Sequence, residues 1–138
     1  MAWIDSLPHQ PPMRLLDDAI DVVPGTSATG RRLTRADDFF FQGHFPGEPI
    51  VPAIILVELL AQTGGIAAVS APSGETDPPL AFRVAAFGPF KFPAAARPGA
   101  MLEARARVAG RMGGLVKIEG SVTADGVLVA SGSLTLAG

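Results

Sequence analysis

The 138-residue chain has no cysteine and no tyrosine, one tryptophan and two histidines, His9 and His44. Without cysteine it can form no disulfide, no thiolate metal site and no cysteine nucleophile. Two histidines far apart in the chain, with no HExxH, leave no metal-binding cluster, so no metal is expected. The glycine loops that cradle phosphates, GxxxxGK[ST] and GxGxxG, are missing, and so is the GxSxG frame of an acyl-serine hydrolase. Charge is scarce as well: 17% of residues are charged against 48% hydrophobic. The 11 basic and 13 acidic residues are intermixed, with a net charge of −2 and no basic block of the kind nucleic acid requires. A surface this short of charge is expected to meet another subunit over part of its area.

This length suits one domain over residues 1–138. The opening MAWIDSLPHQPP shows no basic leader followed by an apolar stretch, so no signal peptide is expected and the cytoplasm is the expected compartment. The apolar run at residues 52–71 contains Glu58, Gln62, Gly64 and Gly65, and no basic flank follows it, which argues against a membrane span. Residues 14–34 read as two strands joined near Pro24 and Gly25. Three prolines and two glycines make residues 35–52 an ordered loop. A helix is expected over residues 53–69, entered through Pro52 and apolar on nearly every side, hence surrounded by protein. Turn formers fill residues 70–79. Four strands should follow as a meander at about 80–92, 101–111, 115–123 and 127–136. The sum is an α+β domain with an antiparallel sheet wrapped around one long helix.

The chemistry concentrates in FFFQGHFPGEPIVPAIILVELLAQ, residues 39–62. Glu58 is the one ionisable side chain between Glu48 and Glu75 and sits on the helix with least polar surface. A carboxyl buried there would keep its proton near neutrality and could act as a general acid. Gln62, one turn later on the same face, could orient it. His44 stands in a stiff glycine and proline frame between aromatic residues and can take a proton near neutral pH. His9, in LPHQPP, has no carboxylate of this kind in its own stretch and reads as a structural residue. Free N–H groups at the helix start, near Ala53 and Ile54, could stabilise an oxyanion. An acid, a base and an oxyanion site suit proton abstraction beside a carbonyl with loss of a β leaving group.

The same stretch resembles the signature of the β-hydroxyacyl-acyl-carrier-protein dehydratase family almost residue for residue, including the fourteen-residue step from histidine to acid. LPHQPPMRLLDD resembles the family's opening, and FKFPAAARPGAMLEARARV its Phe-Lys segment, Pro-Gly turn and following strand. The resemblance implies a hot-dog fold and a catalytic pair made of His44 and Glu58. It also implies a thioester-carbonyl donor at the Ala53 N–H, and Gln62 beside the acid. No cofactor is implied. The partner implied is an acyl carrier protein bearing a 3-hydroxyacyl chain. The assembly implied is a homodimer, His44 of one subunit facing Glu58 of the other, with dimers often joining into hexamers. Three positions depart from the family: Ala53 stands where glycine is usual, Ala100 where an acidic residue is common, and no tyrosine is present to gate the acyl tunnel. Phe45, Phe82 and Phe87 are the tunnel candidates. Arg14, Arg31, Arg32, Lys91 and Arg97 are the candidates for an acidic carrier. Two rival readings are a hot-dog acyl-thioesterase, in which Glu58 would activate water, and a non-catalytic acyl-thioester binding module.

Overall fold

A computed structural model describes residues 3–69 and 82–138. Six strands make one antiparallel sheet: β1 Asp18–Val23, β2 Ser27–Leu33, β3 Arg83–Lys91, β4 Met101–Met112, β5 Leu115–Ala124 and β6 Val127–Ala137. Among the described residues there is one α-helix, α1, Ala53–Ala68, and short 3-10 turns cover Trp3–Ser6 and Phe39–Phe41. This is the α+β arrangement expected, with the sheet curled around α1. The turn expected at 70–79, and the first two residues of the strand expected at 80–92, lie outside the described residues.

Local chemistry accounts for the hairpins. Gly25 (φ 72°) closes β1 onto β2, and Gly113 (φ 58°) closes β4 onto β5. Asp125 (φ 48°) and Gly126 (φ 84°) both take the left-handed conformation that a tight hairpin between β5 and β6 needs. Alternation then sets the faces. Leu102, Ala104 and Ala106 of β4, with Val116, Ile118 and Val122 of β5, point inward and are buried, while Arg105, Arg107 and Lys117 point out.

The sheet meets α1 through Leu59, Leu60 and Ile66, each essentially without exposure. The approach is close enough that small residues are required. A Cβ on Gly64 would lie 2.9 Å from Ile118, and one on Gly120 would lie 2.0 Å from the Arg105 carbonyl oxygen and 2.7 Å from Leu60. No helix among the described residues is long and apolar enough to cross a membrane.

Three details differ from the sequence reading. The last four strands are not a simple meander: the order is β1-β2-β4-β5-β6-β3, so β3 pairs with β6 and forms an edge. Pro89 lacks the N–H that a central strand would need, and an edge tolerates it. Secondly, α1 is enclosed only over its later turns. Every residue from Leu59 to Ala68 is buried, yet Ala53 is exposed and Ile54 is 75% exposed. Thirdly, two candidate carrier contacts are already engaged. Arg31 donates two hydrogen bonds to Asp18, at 2.9 and 2.6 Å, which hold that carboxyl below its usual range. Arg32 donates to Asp38 at 2.7 Å and lies over the Phe40 ring.

Gly120→Ala tests the close packing of β5 against β4 and Leu60 of α1. The added methyl meets a backbone carbonyl that cannot move without parting β4 from β5. Urea unfolding should show a loss of about 2–3 kcal/mol. An unchanged midpoint would mean that Gly120 does not lie this close to the Arg105 carbonyl and Leu60.

Candidate active site

The loop before α1 is fixed by its own backbone. His44 N–H donates to Phe41 (3.1 Å), Ile50 N–H to the His44 carbonyl (2.9 Å) and Glu48 N–H to Phe45 (3.0 Å), while Val51 N–H reaches across to Ala96 (2.8 Å). Gly43 and Gly47, at φ 78° and 79°, make the turns that bring this path back on itself. The His44 ring stacks on Phe45 at 4.1 Å between centroids, and its Nδ1 lies 3.3 Å from the Ile50 carbonyl oxygen. A proton on Nδ1 satisfies that carbonyl and leaves Nε2 with a free lone pair. The imidazole lines a cavity with Ile50, Ala53, Leu56, Phe92 and Ala94. His44 and the start of α1 are therefore together. Pro52 precedes the helix without a side-chain cap, so the first N–H groups keep their positive end of the dipole.

Glu58 belongs to a different face of α1. Ile54, Val57, Glu58 and Ala61 follow the i, i+3, i+4, i+7 spacing, whereas Ala53 and Leu56 lie on the neighbouring face toward His44. Glu58 lines an apolar groove of about 330 Å³ with Ile54, Val57, Val84, Phe87 and Phe90. It also lines a second cavity with His9, Ala61, Gln62, Phe82 and Leu136. His44's cavity shares no lining residue with either of these. Within one chain the two candidate groups therefore open in different directions. The Glu58 side chain is 28% exposed in the single chain, not the buried carboxyl expected, because the sheet does not enclose the first turns of α1.

Gln62 is where the sequence reading and the geometry meet. It is 1% exposed and makes three hydrogen bonds. Its Nε2 donates to Glu58 Oε1 (3.2 Å) and to the Met13 carbonyl (2.7 Å), and its Oε1 accepts from Leu15 N–H (2.9 Å). One amide thus orients the acid and pins residues 13–15 to the helix. The residue that sequence reasoning missed is His9, whose Nε2 lies 3.6 Å from Glu58 Oε1. Nothing in LPHQPP signals this, because the contact is long-range in the chain and depends on Gln62 holding the intervening segment. Of the tunnel candidates, Phe82 and Phe87 line the two cavities that Glu58 opens into, and Phe45 lines that of His44.

Residues 7–133 match the FabA-like domain family. The 3-hydroxyacyl-[acyl-carrier-protein] dehydratase FabZ of Roseiflexus castenholzii is 38% identical over 131 residues, covering 95% of this chain and 90% of that protein. FabZ of Streptococcus pneumoniae is 36% identical over 133 residues, covering 96% and 92%. Among solved structures, the dehydratase heterocomplex ApeI:P from Xenorhabdus doucetiae matches with a TM-score of 0.79 over 99% of this chain and 90% of that one, at 19% identity. The E. coli PaaI protein from the phenylacetic acid degradation operon matches with a TM-score of 0.64 over 84% and 79%, at 16% identity. Both structural likenesses are likenesses of the hot-dog fold.

Gln62→Leu keeps the side-chain volume but strands the Leu15 N–H and the Met13 carbonyl in a buried position. A loss of about 2–4 kcal/mol is expected in urea unfolding. A loss under about 1 kcal/mol would show that water replaces both bonds and that Gln62 does not anchor the segment.

Proposed function

The chain belongs to the FabA-like domain family, and from that premise we propose how it acts as a 3-hydroxyacyl-[acyl-carrier-protein] dehydratase, a hydro-lyase of fatty-acid synthesis. The near full-length likeness to the FabZ dehydratases supports the reaction. The substrate is a 3-hydroxyacyl chain held as a thioester on an acyl carrier protein, and the products are the trans-2-enoyl thioester and water.

His44 Nε2 takes the proton from the carbon beside the thioester carbonyl. The electron pair left behind forms the double bond to the β carbon as the bond from that carbon to the hydroxyl oxygen breaks. Glu58 gives the departing hydroxyl its proton, so water leaves. The Ala53 N–H holds the thioester oxygen, on which negative charge builds. No cofactor is called for, because the thioester itself delocalises that charge. Gln62 orients the Glu58 carboxyl, and the acyl chain lies in the apolar groove beside Phe87.

The observation that carries this reading is the separation of the two groups. His44 with Ala53 forms one half of a site, Glu58 with Gln62 forms the other, and they face different ways on one helix. A second copy related by a two-fold axis would bring the Glu58 of one chain to the His44 of the other. Exposed Ile54, Phe45, Phe92 and Phe87, the last 65% exposed on the edge strand β3, are apolar surface that such a copy would cover. The working unit is then a homodimer of single-domain subunits acting in the cytoplasm. Of the basic candidates for an acidic carrier, Arg31 and Arg32 are engaged and Arg97 lies 3.8 Å from Glu48, which leaves exposed Lys91 and half-buried Arg14.

Given a crotonyl carrier thioester, the enzyme run in reverse should add the mass of one water and keep the thioester. Release of free carrier thiol would make the protein a thioesterase, and an unchanged substrate would make it a binding module. Glu58→Gln and His44→Ala should each lower kcat by about 100-fold or more while remaining folded. Near wild-type turnover in either folded variant would remove that residue from its role.

A further inference from the structure

Glu58 is approached by two nitrogen atoms, and both aim at the same oxygen. Gln62 Nε2 donates to Oε1 at 3.2 Å, and His9 Nε2 stands 3.6 Å from that atom, just outside hydrogen-bond range. Among the described residues no hydrogen bond is made to Oε2. The other ring nitrogen of His9, Nδ1, is buried and has no hydrogen-bond partner among the described residues. A proton on Nδ1 would be a buried donor without an acceptor, whereas a bare Nδ1 lone pair is the less costly vacancy. The ring therefore carries its proton on Nε2, toward Glu58. Among the described residues, the charged and titratable groups around this cavity besides His9 are Glu58 from α1 and Arg83 from β3, and β6 contributes only Leu136.

We propose that His9 is a positioning residue for the reaction: with Gln62 it marks Oε1 as the oxygen that receives N–H donors and leaves Oε2 to carry and deliver the proton. Before the proton leaves, Oε1 is the carbonyl oxygen of a neutral acid and needs only the Gln62 bond. As Oε2 gives up its proton the carboxyl becomes a carboxylate, and the His9 N–H closes the remaining distance onto Oε1. The donor thus counts for more in the transition state than in the resting enzyme, which is the condition for raising kcat and not merely tightening binding. The half-buried His9 ring, 24% exposed at its side chain, lies in a partly dry setting that strengthens such a contact.

The inference rests on Glu58 being the proton donor, so His9 variants are measured beside Glu58→Gln. His9→Gln keeps an N–H at the reach of Nε2, and His9→Met has nearly the same shape without it. In the dehydration assay, with a 3-hydroxybutyryl carrier thioester, His9→Met should lose about tenfold in kcat with little change in KM, while His9→Gln stays within about threefold of the unmodified enzyme. Equal losses in the two variants would make His9 a packing residue and overturn the inference, as would unaltered turnover in both. If His9→Met fails to fold, a loss of about tenfold in His9→Gln likewise makes His9 a packing residue. A Glu58→Gln protein that stays active removes the proton donor itself, and the role of His9 with it. If Glu58→Gln is inactive while both His9 variants match the unmodified enzyme, the donor stands and only the inference about His9 fails.

Discussion

A helix that is apolar on nearly every side has to be covered all along its length, and six strands cover only part of α1. The close fit of Gly64 on Ile118 and of Leu60 over Gly120 commits the sheet to the later turns. The first turns, with Ala53, Ile54 and Glu58, are left at its mouth. That partial coverage governs the rest of the molecule. It sets apolar side chains in the open next to an edge strand. It also leaves a carboxylic acid half-buried, where it can reach a substrate and still be held by Gln62.

The two ends of this arrangement are stiffened differently. The His44 loop is held by backbone hydrogen bonds among residues that glycine and proline force into turns, so its imidazole is placed by the main chain. Glu58 is placed by a side chain: Gln62 ties it to Met13 and Leu15, and the same tie brings His9 alongside. The placing of Glu58 thus depends on a segment near the start of the chain, and that of His44 on the loop directly before the helix.

Much of this can be read from the residues. Pro52 marks the start of α1 within one residue, and Asp125-Gly126 and Gly113-Gly114 mark two hairpins, because turn chemistry is local. The GHFPG stretch, the fourteen-residue step to Glu58 and Gln62 one turn on point to the reaction through their resemblance to the dehydratase signature, and the FabZ relatives agree with it. Three features are not legible. The place of β3 beside β6 is a long-range pairing, and only Pro89 hints at an edge. The exposure of Ile54 reflects where the sheet ends, which helix periodicity does not encode. His9 reads as structural because its relation to Glu58 exists only after Gln62 has folded residues 13–15 against the helix.

The central claim is that His44 and Glu58 work together although one chain holds them apart, and mixing two inactive proteins tests it most directly. His44→Ala and Glu58→Gln chains, unfolded together and refolded at equal amounts, should give about half mixed dimers by chance association. Each mixed dimer would carry one intact site and one doubly defective site, so the mixture should recover roughly a quarter of the unmodified activity. Mixed dimers verified by mass spectrometry that remain inactive would contradict a site shared between subunits.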